Sequence, residues 1–464
     1  MRYLPLTADE KKKILDLCGV NRFEDLIQDV PADLQLHSLL DVEGALSESE
    51  LVSHLSELAE KNPAAKMTCH LGQGIYDHLW PTVLDQIVNR GEFLTAYTPY
   101  QPEVSQGTLQ LIFEYQSMIA DLLGMEVSNA SLYDGPTSVV EAVLMSARLG
   151  GHKGGVVYVN EGAHARLFDV LETYLSPLGF KVKIWSADPK LLRSTHATAR
   201  ESAAGEPVVA TVLQSPNRWG LIEDWSELKQ VAGELACRSV AYLPHALATA
   251  YFESPGEAGV DIAVGEGQSF GLPMGFGGPH LGLFACRSSD VRQMPGRLVG
   301  VTEDAKGQRA FCITLSTREQ HIRRDKATSN ICSNQNLMAV RAGLYLTLMG
   351  PDGLKRVAEA CRIHAGLAAE AFRKRVQKRF PDLQLLEGDG LAEIAILVPP
   401  KRALWFDEVR ARGEAAGVLV GERVAVPKSS GFVGALVSAF TERHTAQDIE
   451  RWSQILAGEE GVGS

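Results

Sequence analysis

Hydrogen-bonding side chains crowd into one short stretch, Thr95 to Gly107, which reads TAYTPYQPEVSQG. Pro99 and Pro102 disfavour helix at the residue before each, so Tyr97, Thr98, Tyr100 and Gln101 belong on an ordered, non-helical segment. Such loops often carry function. The plainer account has Tyr97 and Tyr100 filling a core edge while Glu103, Ser105 and Gln106 open the next helix, and composition leaves both accounts open. A second stretch, Tyr133-Asp134-Gly135-Pro136-Thr137-Ser138, puts a glycine turn at a helix start, where free N–H groups and the helix dipole favour an anion. Pro136 weakens that case because it has no N–H to offer, and proline opens many helices for structural reasons alone. A third, Asp261 to His280, DIAVGEGQSFGLPMGFGGPH, is a short apolar run that breaks into glycines, and the chain has no lysine between Lys229 and Lys306. The basic cluster Arg318, Arg323, Arg324 and Lys326 suits either a solvated face or, with Asn330, Asn334 and Gln335 beside it, an ordered interface or an acidic carrier protein. His70, His78, His245 and His280 show no metal-ligand spacing, so structural histidines are expected and no metal.

The elements that must position these stretches follow from periodicity. Leu109, Ile112, Phe113, Gln116, Ile119, Ala120 and Leu123 trace one face of a helix over about 104–123, which Gly124 ends. The Gly135 turn opens another helix, to about Arg148. From Gly155 short apolar runs alternate with helical patterns: VVYVN, VKIWS, VVATVLQ, SVAYL and DIAV. That alternation implies parallel strands buried on both faces and joined by right-handed crossovers, with GLFACR and FCITL completing a large mixed sheet. Ligands bind beyond the carboxyl ends of such strands, which directs attention to the loops after Gln214, Leu243 and Val264. A hydrophobic helix near Leu337 to Met349, punctuated by Gly350-Pro351, leads into helix 353–379, strand AEIAILV, helix 404–416, strand GALVSAF and helix 446–456. The glycine-rich run GERVAVPKSSGFVG between them has no nucleotide fingerprint.

Composition bounds the rest. A chain of 464 residues is too long for one ordinary core, and the expected division is a helical extension over 1–68, a large α/β domain over 69–335 and a smaller α+β domain over 336–464. Capping boxes at Thr7-x-x-Glu10 and Ser47-x-x-Glu50 start helices in the extension. A net charge of −12 argues against nucleic acid and anionic membrane as partners. Seven scattered cysteines without a CxxC pair fit reduced thiols and a cytoplasmic protein, and the sequence holds neither a signal-peptide run nor an 18-residue apolar stretch.

Five long motifs in order resemble the N-terminal subunit type of the glycine cleavage system P-protein family: GIYDHLWP at Gly74, FLTAYTPYQPEVSQG at Phe93, SNASLYDGPTSVVEA at Ser128, GVDIAVGEGQSFGLPMGFGGPHLG at Gly259 and STREQHIRRDKATSNICSNQ at Ser316. The resemblance spans nearly the whole chain. It implies a type I pyridoxal-phosphate (PLP) aminotransferase-like fold, and a reaction in which glycine is decarboxylated and its aminomethyl group passes to the lipoyl arm of the H-protein. PLP chemistry uses a lysine that forms an imine and an acid facing the pyridinium nitrogen. The resemblance puts Ser269 at the lysine position and Leu243 at the acid position, and neither side chain can do that work. It implies no catalytic or cofactor-binding residue in this chain, PLP on a homologous second subunit, and a heterotetramer of two plus two. In type I enzymes loops of one subunit cover the cofactor of the other, so Tyr97, Thr98, Tyr100, Gln101, Glu103, Ser105 and Gln106 are the expected contribution across that interface. The competing readings are a non-catalytic scaffold or regulator, and an independent PLP enzyme using Lys306 or Lys326.

Overall fold

A computed structural model describes residues 6–36, 38, 40–188, 190, 192–194 and 207–459. The chain groups into two compact units, Met1–Pro63 and Ala64–Ser464. In the first, α1 (Ala8–Leu17) and α2 (Glu48–Glu60) each open with the expected capping box. Thr7 N–H donates to Glu10 at 2.6 Å while Glu10 N–H returns to Thr7 Oγ1 at 3.3 Å, and Ser47 and Glu50 repeat the exchange. Orphan donors of the first turn are satisfied from within.

The second unit is built on a seven-stranded sheet. Its strands are β1 (Val127–Ser128), β2 (Gly155–Asn160), β3 (Phe180–Trp185), β4 (Val208–Gln214), β5 (Arg238–Leu243), β6 (Ile262–Glu266) and β7 (Gly282–Cys286), in the order β1-β7-β6-β5-β4-β2-β3. Strands β3, β2, β4, β5 and β6 run parallel, and β7 and β1 close the edge antiparallel. Continuous apolar runs suit these strands because helices cover both faces. On one face α4 (Gly135–Gly150) and α5 (Ala165–Leu175) bury Val139, Val143, Leu167 and Leu171 against Val157, Val212, Tyr242 and Val264. On the other, α3 (Gln106–Leu123), α6 (Trp225–Glu234) and the long α7 (Asn336–Ala371) pack Ile119, Leu123, Trp225 and Tyr345 against Tyr158, Leu213, Leu243 and Ala263. Neighbours on a strand point to opposite faces, so Tyr242 and Leu243 belong to different cores.

One expected strand is placed differently. FCITL does not join the large sheet: β8 (Leu298–Glu303) and β9 (Arg309–Thr314) pair with each other in a separate hairpin. Its residues explain this, since β9 packs Phe311 and Ile313 against Leu109 and Ile112 of α3 while Ala310, Cys312 and Thr314, which point to its other face, stay only half-buried. A strand wet on one side cannot sit between two helical layers.

Helix α7 changes direction at Gly350, whose φ of 58° and ψ of −179° interrupt the helix just before Pro351. Beyond it lies a four-stranded antiparallel sheet of β10 (Gln384–Leu385), β11 (Glu393–Val398), β12 (Glu422–Val424) and β13 (Gly434–Ala439), in the order β10-β11-β13-β12. The end of α7, with α8 (Trp405–Ala415) and α9 (Ala446–Ala457), buries Ala368, Trp405, Phe406, Phe440 and Trp452 there. The chain just before the large sheet is tied to this region, as Thr68–Cys69 pairs in parallel with Val418–Leu419.

Candidate functional site

A cavity of about 420 Å³ opens beyond the carboxyl ends of the parallel strands. His164 follows β2, Arg218 follows β4, Tyr242 and Glu266 end β5 and β6, and Asp134 and Pro136 start α4. Gln73, Gly74 and Ile75 form one wall, and Glu422 to Ala425, from the glycine-rich run, form another. This is where an open α/β sheet binds ligands; of the three loops singled out in the sequence, those after Gln214 and Val264 line the cavity through Arg218 and Glu266, and the one after Leu243 does not.

Local structure fixes each of these groups. Gln214 at the end of β4 receives the His164 N–H at 2.9 Å and gives its own N–H to Asn160 Oδ1 at 3.0 Å, which locks two adjacent strand ends together. The His164 ring is buried, and burial beside Arg218 and Arg166 pulls its pKa down to about 3, so the imidazole is neutral. Arg218 is held at its carbonyl by Gln73 Nε2 at 2.8 Å, and its Nε has no hydrogen-bond partner among the described residues. His280 Nδ1 also lacks one.

At the start of α4 every backbone donor is already used. Glu266 Oε2 accepts the Gly135 N–H at 3.0 Å, Asp134 Oδ1 accepts Thr137 N–H at 2.8 Å, and Ser138 N–H bonds the Asp134 carbonyl at 3.1 Å. Pro136 has none. Glu266 Oε1 accepts two more N–H groups, from Gln268 and Leu281, both at 3.1 Å. Full burial pushes the Glu266 pKa up to about 8, against the downward pull of those N–H groups. Gly135 must be glycine for space: a Cβ there would lie 2.9 Å from the Tyr242 hydroxyl and 3.1 Å from Glu266 Cβ.

Ser269 and Leu243 do not line this cavity. Ser269 is buried with its hydroxyl unpartnered among the described residues, and Leu243 packs into the core on the far face of the sheet. Gln268, between Ser269 and the strand, is pinned by Tyr76 N–H at 3.0 Å and by the carbonyls of Tyr76 and Leu272.

The loop from Tyr97 to Gln106 lies apart from the cavity and meets the basic segment that follows β9. Tyr97 Oη is 3.1 Å from Ser333 Oγ. Tyr100 accepts from Arg297 at 2.9 Å, and its ring meets His321 edge-on at 5.5 Å. Arg297 is buried, donates to the Cys332 carbonyl at 2.8 Å and faces Glu319 at 3.4 Å. Arg318, from the basic cluster, is turned inward onto the carbonyls of Met294 and Gly296. Gln106 clamps Phe311 through both its N–H and its carbonyl at 2.9 Å. Gln101 and Glu103 are exposed, Thr98 and Ser105 half-buried, while Tyr97 keeps 74% and Tyr100 51% of its surface open. Tyr133 links this patch to the cavity by accepting the Cys332 N–H at 3.1 Å beside Asp134.

Sequence reasoning missed a third cluster. His78 Nδ1 meets Glu442 at 2.8 Å, His78 Nε2 meets His245 Nε2 at 2.9 Å, and the Cys361 thiol donates to Glu442 at 3.6 Å. The His78, Cys361 and Glu442 ligand atoms lie within 4.8 Å of one another. They come from segments far apart in the chain, so no spacing pattern could have paired them.

A family model described as glycine cleavage system P-protein matches residues 1–396. The chain is 41% identical to a probable glycine dehydrogenase (decarboxylating) subunit 1 of Rhizorhabdus wittichii and 44% identical to one of Moorella thermoacetica, each covering 99% of both chains. It is similar to a crystal structure of glycine decarboxylase (P-protein) of the glycine cleavage system in inhibitor-bound form, with a TM-score of 0.81, 37% identity, and coverage of 99% of this chain and 100% of that one. Glutamate decarboxylase of Lactobacillus brevis shares the fold alone, at a TM-score of 0.69 and 12% identity, with 92% of this chain and 95% of that one covered.

Proposed function

The chain belongs to the glycine cleavage system P-protein family, and from that premise we propose that it is the first of two subunits of glycine dehydrogenase (decarboxylating) whose cofactor sits on the second. The two-subunit role follows its full-length relatives, and the type I PLP-enzyme fold suits it. The observation that carries the cofactor assignment is the cavity at the strand ends. None of its lining residues is a lysine, and the N–H groups at the start of α4 are taken by Glu266, Asp134 and the Asp134 carbonyl. These residues do not fit a phosphorylated aldehyde, which needs an amine for its carbonyl and free donors for its phosphate.

In the family's reaction bound PLP supplies an electron sink for loss of carbon dioxide from glycine. This chain's contribution is positional. Tyr97, Thr98, Tyr100, Gln101, Glu103, Ser105 and Gln106 form a loop presented to the partner subunit, with Tyr97, Tyr100, Gln101 and Glu103 exposed to orient substrate or close the site and half-buried Thr98, Ser105 and Gln106 at its base. Its anchor on Arg297 and Gln106 supports that role, since a positioning loop must be rigid. We also assign the acceptor role to the lipoyl H-protein, a two-plus-two assembly, and a cytoplasmic location consistent with seven free cysteines. Among the described residues no helix is long and apolar enough to cross a membrane.

Purifying the chain alone, the partner alone and the two together tests this. The lone chain is expected to carry no bound cofactor absorbance and the pair to decarboxylate glycine. Cofactor bound to a lysine of this chain, or full activity of the partner by itself, would overturn the proposal.

A further inference from the structure

Three backbone N–H groups from three separate segments converge on one carboxyl group at the cavity, one on Oε2 and two on Oε1 of Glu266. Gly135 opens α4, Gln268 lies in the loop after β6, and Leu281 leads into β7. Converging N–H groups of this kind form a nest for an oxyanion, and a helix N-terminus strengthens it. Here they are occupied by the buried carboxyl of Glu266, Oε2 at 3.0 Å from the Gly135 nitrogen and Oε1 at 3.1 Å from those of Gln268 and Leu281. We propose that Glu266 is a resident carboxyl that fills an oxyanion nest, and that it is the residue that makes this cavity refuse phosphate-bearing ligands.

The geometry gives the exclusion two parts. Occupancy is the first: a free phosphate and the Glu266 carboxyl cannot share the same donors. The second is charge, because Asp134 holds its carboxylate on Thr137 N–H and Thr137 Oγ1 at the rim of the same turn, and a second anion there meets repulsion. Glu266 also ties the segments together, since one side chain joins α4 to both ends of the 267–281 loop. Space for a ring remains in the cavity, with buried, neutral His164 on its wall, so the nest and not the volume decides.

The inference rests on the reading that the cavity no longer serves a cofactor, but its test uses only the full chain and simple anions, so activity of the two-subunit enzyme does not enter it. Glu266→Ala empties the nest, and Glu266→Ser, which keeps a small polar group, is carried alongside. Thermal unfolding and recovery of folded protein are measured in sodium formate, in inorganic phosphate and in sodium chloride of equal ionic strength, with wild type in the same buffers to remove general salt effects. Relative to chloride, formate and phosphate are expected to raise the Tm of both variants by about 1–2 °C more than they raise that of wild type at tenfold excess over Kd. A variant that folds only when formate or phosphate is present supports the proposal equally, whereas rescue by formate and not by phosphate overturns the exclusion of phosphate. Broadening of the phosphorus-31 line of inorganic phosphate should appear with the variants and be absent with wild type. Variants that behave alike in formate, phosphate and chloride, whether folded or unfolded, overturn it, as does phosphate bound by wild type with the affinity of Glu266→Ala.

Discussion

Glu393 is fully buried, accepts the Gln73 N–H at 2.9 Å, and burial pushes its pKa from 4.5 up to about 7. The folded chain therefore holds a proton that the unfolded chain has lost between those values. Its contribution to stability is complete below about pH 4.5 and is lost as pH rises through 7. Glu393→Gln has no such loss, so its stability relative to wild type should climb by about 1.4 kcal/mol per pH unit across that window in urea unfolding; parallel profiles would show that Glu393 titrates normally. Arg297 is the other residue whose isolation matters. Arg297→Met would leave Glu319, the Tyr100 hydroxyl and the Cys332 carbonyl without their cation. The expected cost is about 3 kcal/mol, as for a broken buried pair, read as a fall in urea midpoint together with faster proteolysis near Tyr100. None of this was legible in the sequence. Glu393 looked like one polar residue in AEIAILV, and nothing local announces that Gln73, 320 positions away, will face it.

At the scale of elements, α3 ends on Gly124 with φ 66°, and its last turn docks on the turn that holds Gly256, whose N–H donates to the Leu123 carbonyl at 3.0 Å. A Cβ on Gly256 would sit 1.9 Å from the Gly124 carbonyl oxygen, which is backbone and cannot swing away. Gly256→Ala should therefore destabilise by roughly 3 kcal/mol or more, at the far end of single substitutions; a loss under about 1 kcal/mol would mean the turn shifts freely. The loop at Tyr97 to Gln106 is an element with the opposite character, fixed at its base and open at Gln101 and Tyr97. Tyr97→Phe or Gln101→Ala in the two-subunit enzyme should lower kcat without loss of assembly, and unchanged kinetics would remove the loop from the site. Strand and helix order were legible because the apolar runs of β2, β4, β5 and β6 are continuous and those of α3 and α4 are periodic. The FCITL hairpin was not, since five residues with an apolar centre suit a one-sided hairpin as well as a central strand. Nor did the motifs of the candidate site reveal Glu266 as its central group. It was one letter in GEGQSFG, and its importance depends on where the Gly135 and Leu281 N–H groups arrive.

For the whole molecule, motif order carried the family and the fold, while the cavity's composition came from contacts of long range. One feature of that wiring governs how the protein is made. Thr68 N–H donates to the Gly417 carbonyl, His70 N–H to Leu419 and Ala439 N–H to the His70 carbonyl, at 3.1, 2.8 and 2.9 Å. The wall that follows, Gln73 to Ile75, thus rests on a seat built from residues 417–439. On the ribosome those residues emerge tens of seconds after the wall at about 5–20 residues per second. The nascent chain therefore holds Gln73 to Ile75 without their seat until residues 417–439 have emerged, and the cavity is walled only then.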